Sequence, residues 1–469
     1  MRAADLFLRL FLHLQYVLWY THNMMVSKKK VMTKKKKISP VLIFFLTLGG
    51  ILLVGLSGLL FLSLQTGKRG VQQAWNTGAD ENGGQDGSGQ DNLEGKDNAE
   101  GKTPLHSLWE MIPEKQAAAE EEEEKEPYAD ILRDPEYMAA NRIYEKKSSE
   151  DGRVTLCFAG DILFDDEYAV MAKLKNRGGA IENGISEALI SEMRAADIMM
   201  INNEFPYTNR GTPTEGKTYT FRADTDTVHY LDDLGVDLVS LANNHCYDFG
   251  ETGLLDTLDT LQQDGIPYAG AGRNLEEAAA PVYFISGGMK IGFLSATQIE
   301  RLDNPDTKGA TEGAAGVFRC WNPEKLLAVT EETRKNCDFL VVYIHWGTEN
   351  VAEADWAQLD QAPKIAQAGA DLIIGDHPHC LQGIQYFGET PVFYSLGNFW
   401  FNSKTLDTCL LKVTLTDSSI ESMTFIPAVQ SGCYTSLAEG EEGQRVISYM
   451  NSLSTGVFIG SDGSISRQE

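Results

Sequence analysis

The stretch LVSLANNHCYDFG, Leu238 to Gly250, runs as an apolar strand and then stops at Asn243, Asn244 and His245, with Asp248 three residues further on. A turn alone accounts for asparagines, because their side chains bond the backbone and tolerate left-handed φ. The other reading is that a strand end delivers an amide, an imidazole and a carboxylate to a site. Whether other strands end the same way decides between them.

They do. VTLCFAGD ends at Asp161, DIMMINNE at Glu204, FLVVYIHWG reaches His345, and DLIIGDHPH reaches His377 and His379. These strand ends hold four of the eight histidines of the chain, two carboxylates and an amide, a concentration that points to a clustered site. KIGFLSA and PVFYSLG also read as strands. Between strands lie amphipathic patterns, GISEALISEMRAA, DTVHYLDDLG, TGLLDTLDTLQQDG and WAQLDQAPKIAQAG, and a glycine suited to a helix C-cap closes three of the four. This alternation implies βαβ units and a sheet covered on both faces, in one α/β domain spanning residues 151–469. In such sheets ligands bind at the C-terminal edge of the strands.

Oxygen and imidazole donors without a thiolate suit a divalent ion, Mn, Fe or Zn, and do not choose among them. His377 and His379 flank Pro378, and in a Pro-bent loop they can diverge toward two neighbouring ions. Two ions roughly 3.5–4 Å apart would polarise a phosphoryl oxygen and stabilise an in-line displacement.

The N-terminal part has a different character. Val41 to Leu64 is a run of 24 residues without a charge, long enough to cross a membrane, and SKKKVMTKKKK (Ser27 to Lys37) precedes it with seven lysines. The expected organisation is a basic cytoplasmic segment (1–37), an uncleaved signal anchor (38–66), a disordered Gly-rich and acidic tether (67–150) and an extracellular domain. Ala4 to Tyr20 is apolar but interrupted by Arg9, His13 and Gln15; it reads as an amphipathic surface segment or as the product of a start codon set ahead of Met24 or Met25. Residues 1–70 hold 11 Lys and Arg and one acid, so the remainder carries 40 − 11 = 29 basic and 67 − 1 = 66 acidic residues, a net charge of −37. Such a surface excludes nucleic acid as a partner. It also repels a polyanion unless a metal or a local basic site offsets the field. Seven cysteines without a CxxC pair argue against a disulfide framework.

FAGDIL, NNEFP, LANNHCYDFG, HWGTE, GDHPHCLQG and YSLGNF, in this order, resemble the CapA family of bacterial capsule and poly-γ-glutamate synthesis proteins, which looks like a branch of the calcineurin-like metallophosphoesterases. The resemblance implies a layered α/β domain with central β-sheets flanked by helices. It implies that Asp161, Glu204, Asn244, His345, His377 and His379 bind one or two metal ions and that His245 is the general acid. It further implies a phosphoester or cell-envelope polymer as substrate and other capsule synthesis subunits as partners. Leu163 departs from the wider pattern, in which a histidine two residues after the first aspartate is usual, so one ion would lose a ligand. Asp376 would add a carboxylate or cap a turn. Asp248 and Glu349 are expected to orient His245 and His345, and Arg222 in YTFRAD is the cationic candidate for an anionic substrate. Tyr394, Ser395 and Asn398 would shape a turn beside the site. The alternative is a non-catalytic subunit of a synthesis and export complex that binds the anionic polymer.

Overall fold

The computed structural model describes residues 127–150, 152–299 and 307–468. The expected basic segment, membrane anchor and most of the tether lie outside these residues. No helix among the described residues is long and apolar enough to cross a membrane.

Two sheets carry the fold. The seven-stranded sheet has the spatial order β1 (Ile143–Glu145), β7 (Val282–Ser286), β8 (Met289–Thr297), β10 (Phe339–His345), β11 (Leu372–Asp376), β13 (Thr390–Leu396) and β12 (Leu381–Phe387). The eight-stranded sheet runs β17 (Tyr434–Leu437), β16 (Ser419–Ser431), β15 (Leu406–Thr416), β2 (Arg153–Ile162), β3 (Ile198–Asn203), β4 (Leu238–Ser240) and β5 (Tyr268–Ala269), with β14 (Asn398–Trp400) pairing β2. Two short pairs, β6 (Ala271–Gly272) with β9 (Gly316–Val317) and β18 (Val457–Ile459) with β19 (Ile465–Arg467), stand apart. The expected βαβ units form parallel β2–β3–β4–β5 and β8–β10–β11 ladders.

The single sheet covered on both faces is corrected to two sheets, each with one helical face. Alternation along each strand shows it, since successive side chains point to opposite faces. Val154, Leu156 and Phe158 of β2 share one core with Phe339, Val341 and Tyr343 of β10, so the sheets pack face to face. Cys157 and Ala159 point the other way, toward helices Ala169–Asn176, Glu187–Arg194, His229–Leu234 and Gly250–Asp264. Leu340, Val342 and Ile344 point toward helices Leu275–Ala279, Glu324–Arg334 and Trp356–Gln367. The order of layers is helix, sheet, sheet, helix. Each fully buried Leu, Ile or Phe in these cores contributes about 1.5–3 kcal/mol.

The helices end where their sequences allow. Gly235 and Gly265 take left-handed φ of 72° and 77° just past two of them, and Asp355 with Gln358 forms a capping box at the start of Trp356–Gln367. The domain also begins before residue 151. Two helical turns, Ala129–Leu132 and Pro135–Ala140, lead into β1, which pairs parallel with β7 through Ile143–Tyr283 to Glu145–Ile285. The tether drawn to residue 150 is therefore too long, because the three-residue strand β1 gains its order from the edge of a sheet remote in sequence.

Candidate metal centre

Alternation also decides which strand-end residues meet. In β10 the inward series Phe339, Val341, Tyr343 continues to His345; in β11, Leu372 and Ile374 continue to Asp376; in β3, Ile198 and Met200 continue to Asn202 and then Glu204. The inter-sheet core thus ends in a polar layer. Asp161 should fall on the wrong side, with Cys157 and Ala159. A β-bulge corrects it: Phe158 pairs with Met200 but Asp161 pairs with Asn202, leaving one extra residue in β2. Ile162 accordingly turns to the helical core and Asp161 turns to the cluster. Glycine is required at the bulge, because a Cβ on Gly160 would lie 1.9 Å from the Gly397 carbonyl oxygen.

The two asparagines of the NNH stretch divide the two readings between them. Asn243 builds the turn: its Oδ1 accepts from the backbone N–H of His245 (3.1 Å) and Cys246 (2.8 Å), and its Nδ2 donates to Asn202 Oδ1 and the Asn203 carbonyl. Asn244 faces the cluster, with Oδ1 2.8 Å from His345 Nε2.

Around them the expected donors converge. His377 Nδ1 lies 3.1 Å from His345 Nε2, and His379 Nδ1 lies 2.9 Å from Asp161 Oδ2. Glu204 Oε1 is 3.7 Å from His345 Nε2, 3.9 Å from His245 Nε2 and 4.0 Å from His379 Nε2. Three sets of donor atoms each lie within 4.8 Å of one another: Glu204, His345 and His377; Asp161, His345 and Asp376; Asp161, Glu204 and His379. His377 and His379 hold φ of 91° and 57°, a strained conformation for residues other than glycine that costs about 1–3 kcal/mol each.

Electrostatics of the cluster are those of a site short of positive charge. Burial pushes the Glu204 and Asp376 carboxyls well above the usual range, and the neighbouring Asp161 charge adds to it. Burial pushes His345 down to about 3 and His377 well below its ordinary value, so both imidazoles are neutral and able to ligate. Asp161 and His379 behave as a pair. Burial is the largest single influence and opposes the charge on each, but their hydrogen bond and mutual attraction, with Asn202 and His345 acting on Asp161 and Asn398 on His379, together outweigh it, drawing Asp161 down and His379 up. Among the described residues, neither carboxylate oxygen of Glu204 has a hydrogen-bond partner although both are buried, and the same holds for Asp376 Oδ2. Buried carboxylates are ordinarily paired, hydrogen-bonded or metal-bound. The donor set fits a divalent ion, and it does so through chemistry and placement together.

His245 is positioned from behind. Its Nδ1 lies 2.7 Å from Asp248 Oδ2, and Asp248 in turn accepts from the Phe221 N–H and is ion-paired with Lys217, which also donates to the Asn244 carbonyl. Lys217 and Asp248 are both buried, with side-chain exposures of 5% and 0%. The Phe221 ring covers the imidazole at 4.1 Å between centroids. Burial lowers the His245 pKa, and Asp248 works against that shift.

Other expectations are placed differently. Glu349 is exposed, and the group on His345 Nδ1 is Asp376, at 2.7 Å. Arg222 lies over the Phe249 ring at 4.8 Å and 3.8 Å from Glu167, and no contact among the described residues joins its side chain to the cluster. Leu163 is buried in the helical core and offers no donor. Asn398 touches the site directly, its Oδ1 2.8 Å from His379 Nδ1, whereas Ser395 bonds the Cys380 carbonyl and Tyr394 bonds Gln385. Asn202 and Lys217 were not anticipated. Asn202 Nδ2 donates to Asp161 Oδ1 at 2.9 Å, and its place in NNEFP, two residues before Glu204 on the inward series, is the signal that could have found it. Lys217 sits in a loop, and nothing local in EGKTYTF marks it.

A buried cluster of imidazoles and carboxylates, with donor atoms close enough to hold a cation, at the shared edge of two stacked, helix-covered sheets defines a mixed α/β protein. A family model described as bacterial capsule synthesis protein PGA_cap matches residues 155–403, more than half of the chain, and every residue of the cluster falls inside that match. PGA biosynthesis protein CapA of Bacillus subtilis (strain 168) is 30% identical over 276 residues, covering 57% of this chain and 70% of that protein. Capsule biosynthesis protein CapA of Bacillus anthracis is 27% identical over 300 residues, 61% and 70% of the two chains. A probable polyglutamine synthesis accessory protein of Mycobacterium tuberculosis (strain ATCC 25618 / H37Rv) is 27% identical over 219 residues, 45% and 58%. The chain belongs to the family of bacterial capsule synthesis proteins.

Proposed function

We propose that this protein is a metal-dependent hydrolase of the phosphoesterase kind, acting in the assembly of a capsule or poly-γ-glutamate polymer and held at the outer face of the membrane by an N-terminal anchor. The observation that carries the proposal is Glu204, fully buried, with neither oxygen hydrogen-bonded among the described residues and three imidazoles within 4.0 Å. Asp161, Glu204, Asn244, His345, His377 and His379, joined by Asp376, would hold one or two divalent ions. When bound, such an ion supplies Lewis-acid polarisation of a phosphoryl oxygen and offsets the charge of the carboxylates.

The remaining work belongs to the chain. Asp248 accepts from Nδ1 of His245 and leaves Nε2 facing the cluster, so a proton carried on Nε2 is directed at the position of a leaving oxygen. The imidazolium form is supported by Asp248, whose own charge Lys217 balances. Asn202 and Asn398 hold Asp161 and His379 in place. Phe221 keeps water from one face of His245.

Leu163 favours a second reading, a polymer-binding subunit that retains the fold, since the helical core takes up a position where related phosphoesterases resemble one another in carrying a ligand. His245→Ala separates the two. A hydrolase should keep its metal and lose turnover by roughly 10²–10⁴-fold, with a smaller loss on a nitrophenyl diester than on an alkyl diester. Undetectable hydrolysis in both proteins, with polymer output in cells unchanged by the substitution, would favour the binding subunit.

A further inference from the structure

A cleft of about 730 Å³ opens near the start of β8, far along that strand from Thr297, the residue that pairs with His345. It lies on the helical side of the seven-stranded sheet, between the end of helix Pro135–Ala140 and helices Leu275–Ala279 and Glu324–Arg334. Met289 and Ile291 point into the inter-sheet core, so Lys290 between them points the other way, toward this cleft.

Lys290 is only 8% exposed. Its ammonium stands 4.2 Å from the centroid of the Tyr283 ring, and among the described residues it has neither a hydrogen-bond acceptor nor an ion-pair partner. The nearby carboxylate does not serve it: Asp338 Oδ2 accepts from the backbone N–H of Lys290 (2.7 Å) and from the Tyr128 hydroxyl (2.6 Å). Arg142 also lines the cleft, but its guanidinium is spent on the carbonyls of Glu277, Ala280 and Tyr268. A buried ammonium with no anion in contact is an unfinished arrangement, and an aromatic face with the more distant Asp338 charge compensates it only in part. Burial accordingly pushes the Lys290 pKa down.

We propose that this cleft binds a small amino-carboxylate, with Lys290 receiving the carboxylate. The volume is in the range of small-molecule sites. Ala279, Pro281 and Val329 supply apolar wall, and the exposed charged residues at the mouth are Glu276, Glu312 and Glu332 against one cation, Lys325. Carboxylates at the mouth repel a polyanion and attract an ammonium, so the ligand that matches both ends is a zwitterion with separated charges, of the amino-acid class. The site is independent of the metal centre.

The test is thermal shift and calorimetry on the purified full-length chain with γ-aminobutyrate, L-glutamate, acetate and inorganic phosphate as probes. The amino acids should bind wild type. Lys290→Met should weaken them about tenfold or more, the loss of one charge-assisted contact, while leaving the ligand-free melting temperature unchanged or higher. Val329→Trp should block binding without touching Lys290. Phosphate binding alone, no binding of either amino acid up to roughly 10 mM, binding that survives Lys290→Met, or binding lost instead in His377→Ala/His379→Ala would overturn the proposal.

Discussion

Glu204→Gln should make the metal-free protein more stable and the metal-loaded protein less so. Glu204 has no exposed surface, neither of its oxygens has a hydrogen-bond partner among the described residues, and burial beside Asp161 drives its carboxyl well above the usual range. In the metal-free fold the charged form of this group is therefore disfavoured, whereas the unfolded chain, with a carboxyl near 4.3, releases the proton at pH 7. Carrying that proton from 4.3 to 7 costs at most about 2.7 × 1.36, or roughly 4 kcal/mol. The sign follows from the raised value: stability relative to a glutamine is full below the unfolded pKa and falls as pH rises toward the folded one. Glutamine has nearly the same shape and no charge to neutralise, so it recovers part of this sum, less the desolvation of its own amide. The assay is urea unfolding of the full-length chain at pH 7, once in EDTA and once in excess Mn²⁺. In EDTA the variant should gain about 1–3 kcal/mol; in Mn²⁺ wild type should overtake it, because binding to the native state alone adds stability that the variant forgoes. A variant destabilised equally in both buffers would refute the reasoning, since it would mean that Glu204 serves packing and not a cation.

Three further outcomes are expected. His377→Ala and His379→Ala should each weaken metal binding by about tenfold or more and together abolish it, by elemental analysis of the purified chain; full occupancy in the double variant would remove both from the ligand set. Lys217→Met should strand the buried Asp248 charge and cost about 3–5 kcal/mol in urea unfolding, with Lys217→Arg recovering part of it, while unchanged stability would deny the ion pair its structural role. Protease added to intact cells should release a soluble fragment beginning between the expected anchor and residue 127; protection of that region in accessible cells would contradict the proposed topology.

Strands and site were legible to different depths. The seven strands read from the pattern are all present, because apolar runs bounded by turn residues carry their own signal. Their assignment to two sheets was not, since periodicity reports that a residue faces a core and not which core. The antiparallel β15–β16–β17 ladder escaped for a related reason: Leu406–Thr416 and Ser419–Ser431 are half-buried, and their polar residues blur the alternation. At the site, the strand-end donors stood out as residue types. Of their partners, Asp248 was expected behind His245 and lies there; the others did not stand out, though one could have been found. His345 and Asp376 are register neighbours in adjacent parallel strands, so aligning the ends of FLVVYIH and DLIIGD would have set the carboxylate beside the imidazole. Glu349 looked a better partner by sequence distance and lies at the surface. Lys217 reaches Asp248 across 31 residues that include helix His229–Leu234 and strand β4, a distance over which no local pattern operates.

The extra residue in β2 makes the centre depend on a count as well as on composition. Deleting Ala159 or Gly160 would leave every donor in the chain, yet Asp161 and Ile162 would exchange faces, placing a carboxylate among the aliphatic side chains beneath the helices and a hydrocarbon among the imidazoles. The bulge works as a reading frame for the strand. Comparison of this chain with its relatives should therefore ask whether the frame between Phe158 and Asp161 is kept before asking whether the aspartate is, because a matched letter in the wrong phase would belong to a different core.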